Sequence, residues 1–167
     1  PPALRCATRA KRLMSSLSGQ GTLSLRDPVL VNLNVLREVF QKLSMLPGLL
    51  QRLQSRLPEE YQQKFEARDT VFESFETPLR MDGGVIHLDR LPLRADTFAL
   101  ESSGIVALQG GVNIRSTLST DPALSQALIS SVNELQHLTD AEGRMQLPLV
   151  IQGQAPRIAV LPDVGYV

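Results

Sequence analysis

The side chains of this sequence that could do chemistry are few and scattered. Its two histidines, His87 and His137, lie about fifty residues apart, one on an expected strand and one near an expected helix end. Neither has a second histidine at ligand spacing, whereas a metal or acid–base site needs several donors that converge. Both are read as structural or exposed histidines. Carboxylates pair at Glu59-Glu60 and at Glu73 with Glu76. The first pair follows Pro58, where the positive end of a helix dipole favours acids, and both pairs are read as caps and surface charge. The lone cysteine, Cys6, sits in a basic segment that would favour its thiolate, but no histidine is nearby in sequence to act as its base. Serines are numerous without a Gly-x-Ser-x-Gly elbow, and Gly83-Gly84 and Gly110-Gly111 lack the spacing that wraps backbone N–H groups around a phosphate. The expectation is a protein that is not an enzyme, with no catalytic residues, no metal and no cofactor.

The elements that must position any site are those of one ordinary folded domain. The 167 residues contain 43% hydrophobic and 20% charged residues, which excludes a disordered or collagen-like chain. A chain of this length can bury roughly 70% of its unfolded surface around one core. Seventeen Lys and Arg cancel seventeen Asp and Glu, so no global field would hold a polyanion, and aromatic residues at 4% offer few stacking platforms. Nucleic acid is therefore not an expected partner. One cysteine makes no internal disulfide and leaves the redox compartment open. No run approaches the ~20 apolar residues of a membrane-spanning helix. The chain begins Pro1-Pro2 rather than at Met and is expected to be a piece of something longer. Its first 26 residues hold Arg5, Arg9, Lys11, Arg12 and Arg26 with no acid, which suits a solvated helix face better than a lipid-seeking one, because Leu4, Leu13, Met14 and Leu17 make a thin stripe.

A helix is expected over Ala3 to Leu17, stopped by Gly19-Gln20-Gly21 through positive φ, and then a strand over Thr22 to Arg26 that Asp27-Pro28 turns. Asn32 is the expected N-cap of a helix whose Leu33, Leu36, Phe40 and Leu43 recur at three and four. Pro47-Gly48 breaks it. Leu49, Leu50, Leu53 and Leu57 suggest a second helix, and Glu59 to Ala67 a third with Tyr61 and Phe65 at i and i+4. After Asp69 the period becomes alternating. A strand pair is expected over Phe75 to Met81 and Val85 to Leu88 around Asp82-Gly83-Gly84, followed by strands over Leu93 to Leu100, Ile105 to Leu108 and Val112 to Leu118. Ser102-Ser103-Gly104 and Gln109-Gly110-Gly111 are the expected turns between them. Asp121-Pro122 opens a helix with the stripe Leu124, Leu128, Val132, Leu135 and Leu138. The last strand, Met145 to Ile151, points Met145, Leu147, Leu149 and Ile151 one way, and Pro148 within it suggests an edge or a bulge.

The expected fold class is α+β: a curved antiparallel meander of about six strands with three to four amphipathic helices packed on one face or end. Residues 1–70 would be mainly helical with one strand and 71–167 mainly β with one helix, in a single domain. Gly21 to Asp27, Gly84 to Arg90 and Gly104 to Leu108 share a glycine followed by a short alternating strand, a pattern common to repeats and to meanders in general. Such a sheet has two faces, and whatever the helices leave uncovered is available to an apolar ligand.

The C-terminal run from Met145 to Asp163 carries a strand with an internal proline at Pro148, then Gly153, Pro156 and a final Pro162-Asp163. This resembles the closing signature of the AsmA family's C-terminal region. Asp82 to Leu88 with Leu93 to Leu100 looks like that family's strand-turn-strand unit, Gly104 to Leu108 like its small-residue strand, and Gly19 to Leu25 like its earlier glycine-led strand. Arg26-Asp27-Pro28 departs from the Asp-Gly turn usual there, and Gln154 from a small hydroxyl residue. The resemblance implies a periplasmic module of the Gram-negative cell envelope, anchored to the inner membrane in the full-length protein. It also implies a role in phospholipid transport between membranes or outer-membrane homeostasis and biogenesis. The expected partners are phospholipid acyl chains or the rest of the full-length protein. On the same resemblance the candidate apolar groove comprises Ile86, Leu88, Ile105, Val112, Ile114, Leu147 and Leu149, residues that give no directional bonds and would let a chain slide; the alternative for the same residues is ordinary core beneath a helix. The alternative is a protein-interaction scaffold that pairs an exposed strand edge, around Pro148, with an envelope protein.

Overall fold

The computed structural model describes residues 9–43 and 46–163. Cys6 and the first part of the expected helix over 3–17 lie outside them, while residues 9–14 are helical (α1). Gly19–Leu25 follows as β1. Neither Gly19 nor Gly21 has a positive φ, so the glycines expected to end the helix are extended members of the strand instead. β2 (Val29–Leu30) pairs with β3 (Thr70–Val71) in a two-stranded ribbon, and between them run α2 (Val35–Gln41), α3 (Leu49–Arg56) and α4 (Glu59–Glu66). Among the described residues up to 70 there are thus two strands and the start of a third, not one.

The rest is an antiparallel meander: β4 (Phe75–Asp82), β5 (Val85–Arg94), β6 (Phe98–Ala107), β7 (Gly111–Thr120), β8 (Gln146–Gln154) and β9 (Arg157–Pro162). With β1 alongside β4 they make an open seven-stranded sheet in the order β1-β4-β5-β6-β7-β8-β9. Seven strands exceed the expected total of about six: Arg157–Pro162 was not expected as a strand, while the expected strands over Leu93 to Leu100 and Ile105 to Leu108 share β6. The β7–β8 connection holds α5 (Pro122–Ser131) and a 3-10 helix (Asn133–Leu138). The stripe expected to be one helix breaks at Val132, where its spacing shortens from four to three, the period of a 3-10 helix. Leu124, Leu128, Val132 and Leu135 are nonetheless all fully buried.

Local chemistry accounts for the boundaries. Gly83 (φ 57°) and Gly84 (φ 76°) supply the two positive-φ positions of the tight β4–β5 hairpin, and a Cβ on Gly84 would sit 2.2 Å from the Met14 carbonyl oxygen. The N-cap of α2 is Asn34, not Asn32, whose φ of 59° places it in the preceding turn. Asn34 Oδ1 accepts from the Arg37 N–H at 2.9 Å, while its Nδ2 donates to the carbonyls of Lys64 and Ala67 at 2.7 and 2.8 Å. One side chain therefore starts α2 and closes α4. Asp121 Oδ1 accepts from the Leu124 N–H at 2.6 Å with Pro122 at the first helical position, as expected.

Three strand expectations are corrected. Leu93 to Leu100 is not one strand: β5 ends at Arg94 and the chain turns at Ala95-Asp96-Thr97, where the Ala95 N–H donates to the Phe98 carbonyl at 2.8 Å. Ser102-Ser103-Gly104 is the middle of β6, not a turn. The Ser102 and Ser116 hydroxyls bond each other at 2.7 Å across β6 and β7 and so satisfy one another where they are buried. Pro148 lies neither at an edge nor in a bulge, since β8 is paired on both sides. Its carbonyl accepts from the Asp163 N–H, so its missing donor faces the last position of the β9 side.

The helices pack over one end of one sheet face. Val39, Phe40, Leu53 and Phe65 from α2 to α4 join Leu124 and Leu128 from α5 against Phe98, Leu100, Leu118, Leu147 and Leu149 of the sheet. Two edge-to-face ring pairs, Phe40 with Phe65 at 5.4 Å and Phe72 with Phe98 at 6.1 Å, fix this layer.

Candidate functional site

In an antiparallel sheet directly opposed residues share a face. Leu100 opposes Leu118, which opposes Leu147, and these are 4%, 0% and 3% exposed under the helices. The same face continues toward the β4–β5 and β6–β7 turns. There Leu88 opposes Gly104, then Ile114, Ile151 and Val160; further out Met81 opposes Ile86, then Val106 and Val112. Met81, Ile86, Val106, Val112, Ile114 and Ile151 are half-buried; the outermost row runs from Met81, which meets β1 at Gly19, through Gly153 of β8 to Ile158, 46% exposed. Apolar side chains thus line the inner face from β4 to β9, a width of ~24 Å at the usual strand spacing; α2 to α5 cover only one end of it, and at the other the end of α1 touches only the hairpin at Gly84. Gly104 makes the close approach possible: with φ 153°, a Cβ there would lie 2.3 Å from the Asn113 carbonyl oxygen.

A bulge between Leu88 and Leu91 keeps β5 on this face. It inserts the exposed Asp89-Arg90, and the Thr77 hydroxyl donates to the Arg90 carbonyl at 2.6 Å, so that Leu91 and Leu93 return inward opposite Ser102 and Leu100. The outer face is polar. His87 opposes Arg80 and Ile105, Ile105 opposes Asn113, and Asn113 opposes Gln152. Arg90 and Glu101 pair there at 3.1 Å, and that hydrogen bond holds the Arg90 guanidinium above its usual pKa.

The expected groove is divided by this geometry. Ile86, Val112 and Ile114 lie on the uncovered part, and Leu88, 8% exposed, lies at its boundary. Leu147 and Leu149, 3% and 1% exposed, belong to the core beneath the helices and are not available. Ile105 is 41% exposed on the opposite, polar face, because Gly104 continues the strand and fixes the parity. Met81, Val106 and Leu79, which opposes Gly21 on the same face, were not singled out from the sequence, whereas Ile151 was placed on one side of its strand with Leu147 and Leu149. Met81 could have been, since a two-residue hairpin at Gly83-Gly84 places it opposite Ile86.

Among the described residues the reactive side chains do not converge. His87 is on the outer face and His137 is exposed on the 3-10 helix. Glu59 and Glu60 occupy the first turn of α4, and Glu73 and Glu76 are exposed. Among the described residues no three His, Cys, Asp or Glu side chains are grouped to hold a metal, and no helix is long and apolar enough to cross a membrane. A cleft of about 440 Å³ between α4, β3 and the β5–β6 turn is lined by Asp27, Lys64, Asp69, Asp96 and Phe98 among others. Four of its charged groups are engaged locally: Lys64 with Asp96, Asp69 with the Asn32 N–H, and Asp27 with the Ser74 hydroxyl.

The two sheet edges differ. Odd-numbered residues of β9 bond β8, as the Asp163 N–H does Pro148, which turns the backbone of Ile158, Val160 and Pro162 outward. Pro162 has no N–H to offer, and the Val160 carbonyl accepts from Lys42 Nζ at 2.8 Å. β1 has no such guard among the described residues. No family model matches this chain, and no curated protein or solved structure matches it.

Proposed function

We propose that this chain is a non-enzymatic, AsmA-like module of the cell envelope that holds phospholipid acyl chains on the uncovered part of its inner sheet face. Its role would lie in phospholipid transport between membranes or outer-membrane homeostasis, in the periplasm, within a protein held at the inner membrane. The observation that carries this reading is the apolar strip from Met81 to Ile158, which α2 to α5 leave uncovered. Isolated exposed aliphatics need no explanation, but a contiguous in-register strip is the kind of patch that marks a binding surface. Aliphatic side chains such as Ile86, Val106, Val112 and Ile114 offer an acyl chain burial of about 0.8 kcal/mol per fully enclosed methylene and no directional bond, so a chain can be held and still slide.

Native mass spectrometry of the protein purified from a Gram-negative envelope tests this. Retained phospholipid is expected, lost in Val112→Asp and Ile114→Asp and kept in Ile105→Asp, which alters the opposite face. A lipid-free protein, or equal loss in all three variants, would overturn the proposal.

A further inference from the structure

We infer that β1 is a homotypic docking strand: two copies of the chain pair antiparallel through their β1 edges about Thr22, fusing their sheets into one. This is independent of whether lipid binds.

The open edge follows from the ladder. The Gly84 carbonyl accepts from the Leu108 N–H at 2.9 Å, so even-numbered residues at the start of β5 turn toward β6, and Val85 and His87 turn toward β4. Their partners Asp82 and Arg80 are spent on β5, which leaves the odd-numbered residues of β4 to bond the odd-numbered residues of β1. The backbone groups of Gln20, Thr22 and Ser24 therefore point outward, and β1 is the last strand of the sheet. Unlike β9, the strand Gly-Gln-Gly-Thr-Leu-Ser-Leu contains no proline and no charge, and among the described residues no side chain caps it.

A second copy fits this edge better than an arbitrary peptide because the strand is complementary to itself. With Thr22 on the two-fold axis, Gln20 faces Ser24 of the other copy, and the outward groups of all three residues are used in reciprocal pairs. On the inner face each Leu23 then meets Gly21 and each Leu25 meets Gly19, a large side chain against an empty position. A shift by one pair in one direction would instead set Leu23 against Leu23. On the outer face the meeting side chains are uncharged and hydrogen-bonding. Arg26, one residue past the strand, falls opposite Ser18 of the other copy, whose hydroxyl bonds Asp82 at 3.1 Å, so a free cation approaches a carboxylate at each end of the joint. The formal net charge of zero adds no repulsion between copies.

Sedimentation velocity and disulfide trapping test the inference. A strand-edge contact is small, so association is expected at about 10 to 1000 µM. Thr22→Pro removes an outward N–H without touching the ladder to β4 and is expected to weaken association at least about tenfold. In a Cys6→Ser background, Thr22→Cys is expected to give a covalent dimer on mild oxidation, whereas Ser24→Cys, which faces Gln20, is not; this comparison decides the register even if Thr22→Pro fails to fold. The inference is overturned by a monomer throughout the range, by capture of an extended peptide without self-association, or by cross-linking as ready at Ser24→Cys as at Thr22→Cys.

Discussion

Leu118 and Ile114 lie on the same strand and the same face, four residues apart, and replacing each by alanine separates the covered from the uncovered part of the sheet. Leu118 is fully buried between Leu100 and Leu147 and beneath the helices, so Leu118→Ala removes contacts on every side and leaves a cavity that packed neighbours cannot fill. Its cost is expected near 3–4 kcal/mol, within the ~2–5 kcal/mol of such substitutions. Ile114 is half-buried with one side open, so Ile114→Ala forfeits only about half of the ~1.5–3 kcal/mol of full burial and creates no enclosed void: roughly 1 kcal/mol. Urea denaturation at a shared slope reads the difference, and for a chain of this size the melting temperature should fall by about 6–16 °C for Leu118→Ala against ~2–4 °C for Ile114→Ala. Equal losses would mean that Ile114 is covered as Leu118 is, and the reasoning about an open face would be refuted.

Three further outcomes are expected. Gly104→Val forces a side chain toward the Asn113 carbonyl, 2.3 Å from the ideal Cβ, and should cost roughly 2–4 kcal/mol in denaturation, with Gly104→Ala intermediate; a neutral Gly104→Val would contradict the close approach. Asn34→Ala loses the α2 cap and strips the α4 carbonyls of Lys64 and Ala67 of their donor, for about 2–4 kcal/mol, with faster hydrogen exchange in both helices; exchange altered in α2 alone would deny the link. The Asp140 carboxylate is held below its usual pKa first by the Arg144 N–H, at 2.8 Å, and then by the Gln146 side chain. Because the folded value is depressed, its stabilisation of the turn before β8 is complete above the ordinary carboxylate range and is lost as pH falls through the lowered value. The Arg144 amide shift should follow that titration by NMR and stop doing so in Asp140→Asn; a midpoint at or above the ordinary range would contradict it.

Much of the fold was legible where one residue type dictates backbone geometry: Gly83-Gly84 as a hairpin, Pro47-Gly48 and Pro58 as helix boundaries, Asp121-Pro122 as a cap. What misled was chemistry that tertiary pairing overrides. Ser102-Ser103-Gly104 has the composition of a turn, but the Ser102–Ser116 bond and the need for an empty position at Gly104 place it mid-strand. Pro148 was expected at an edge, yet its missing donor lies at the end of the β9 ladder, where little pairing is lost. The candidate site was legible as a set of alternating apolar residues but not as a surface. Register decides which face Ile105 joins, the bulge at Asp89-Arg90 resets β5, and only the helix placement separates Leu147 and Leu149 from Ile86 and Val112.

The central claim is that acyl chains lie on the inner face outside the helical cover. Photolabelling with a phospholipid bearing a diazirine on its acyl chain, followed by peptide mapping, measures this most directly. Labels are expected on Met81, Ile86, Val106, Val112, Ile114 and Ile151, and absent from Ile105 and His87 on the outer face. Labels spread equally over both faces, or confined to the outer one, would contradict the account.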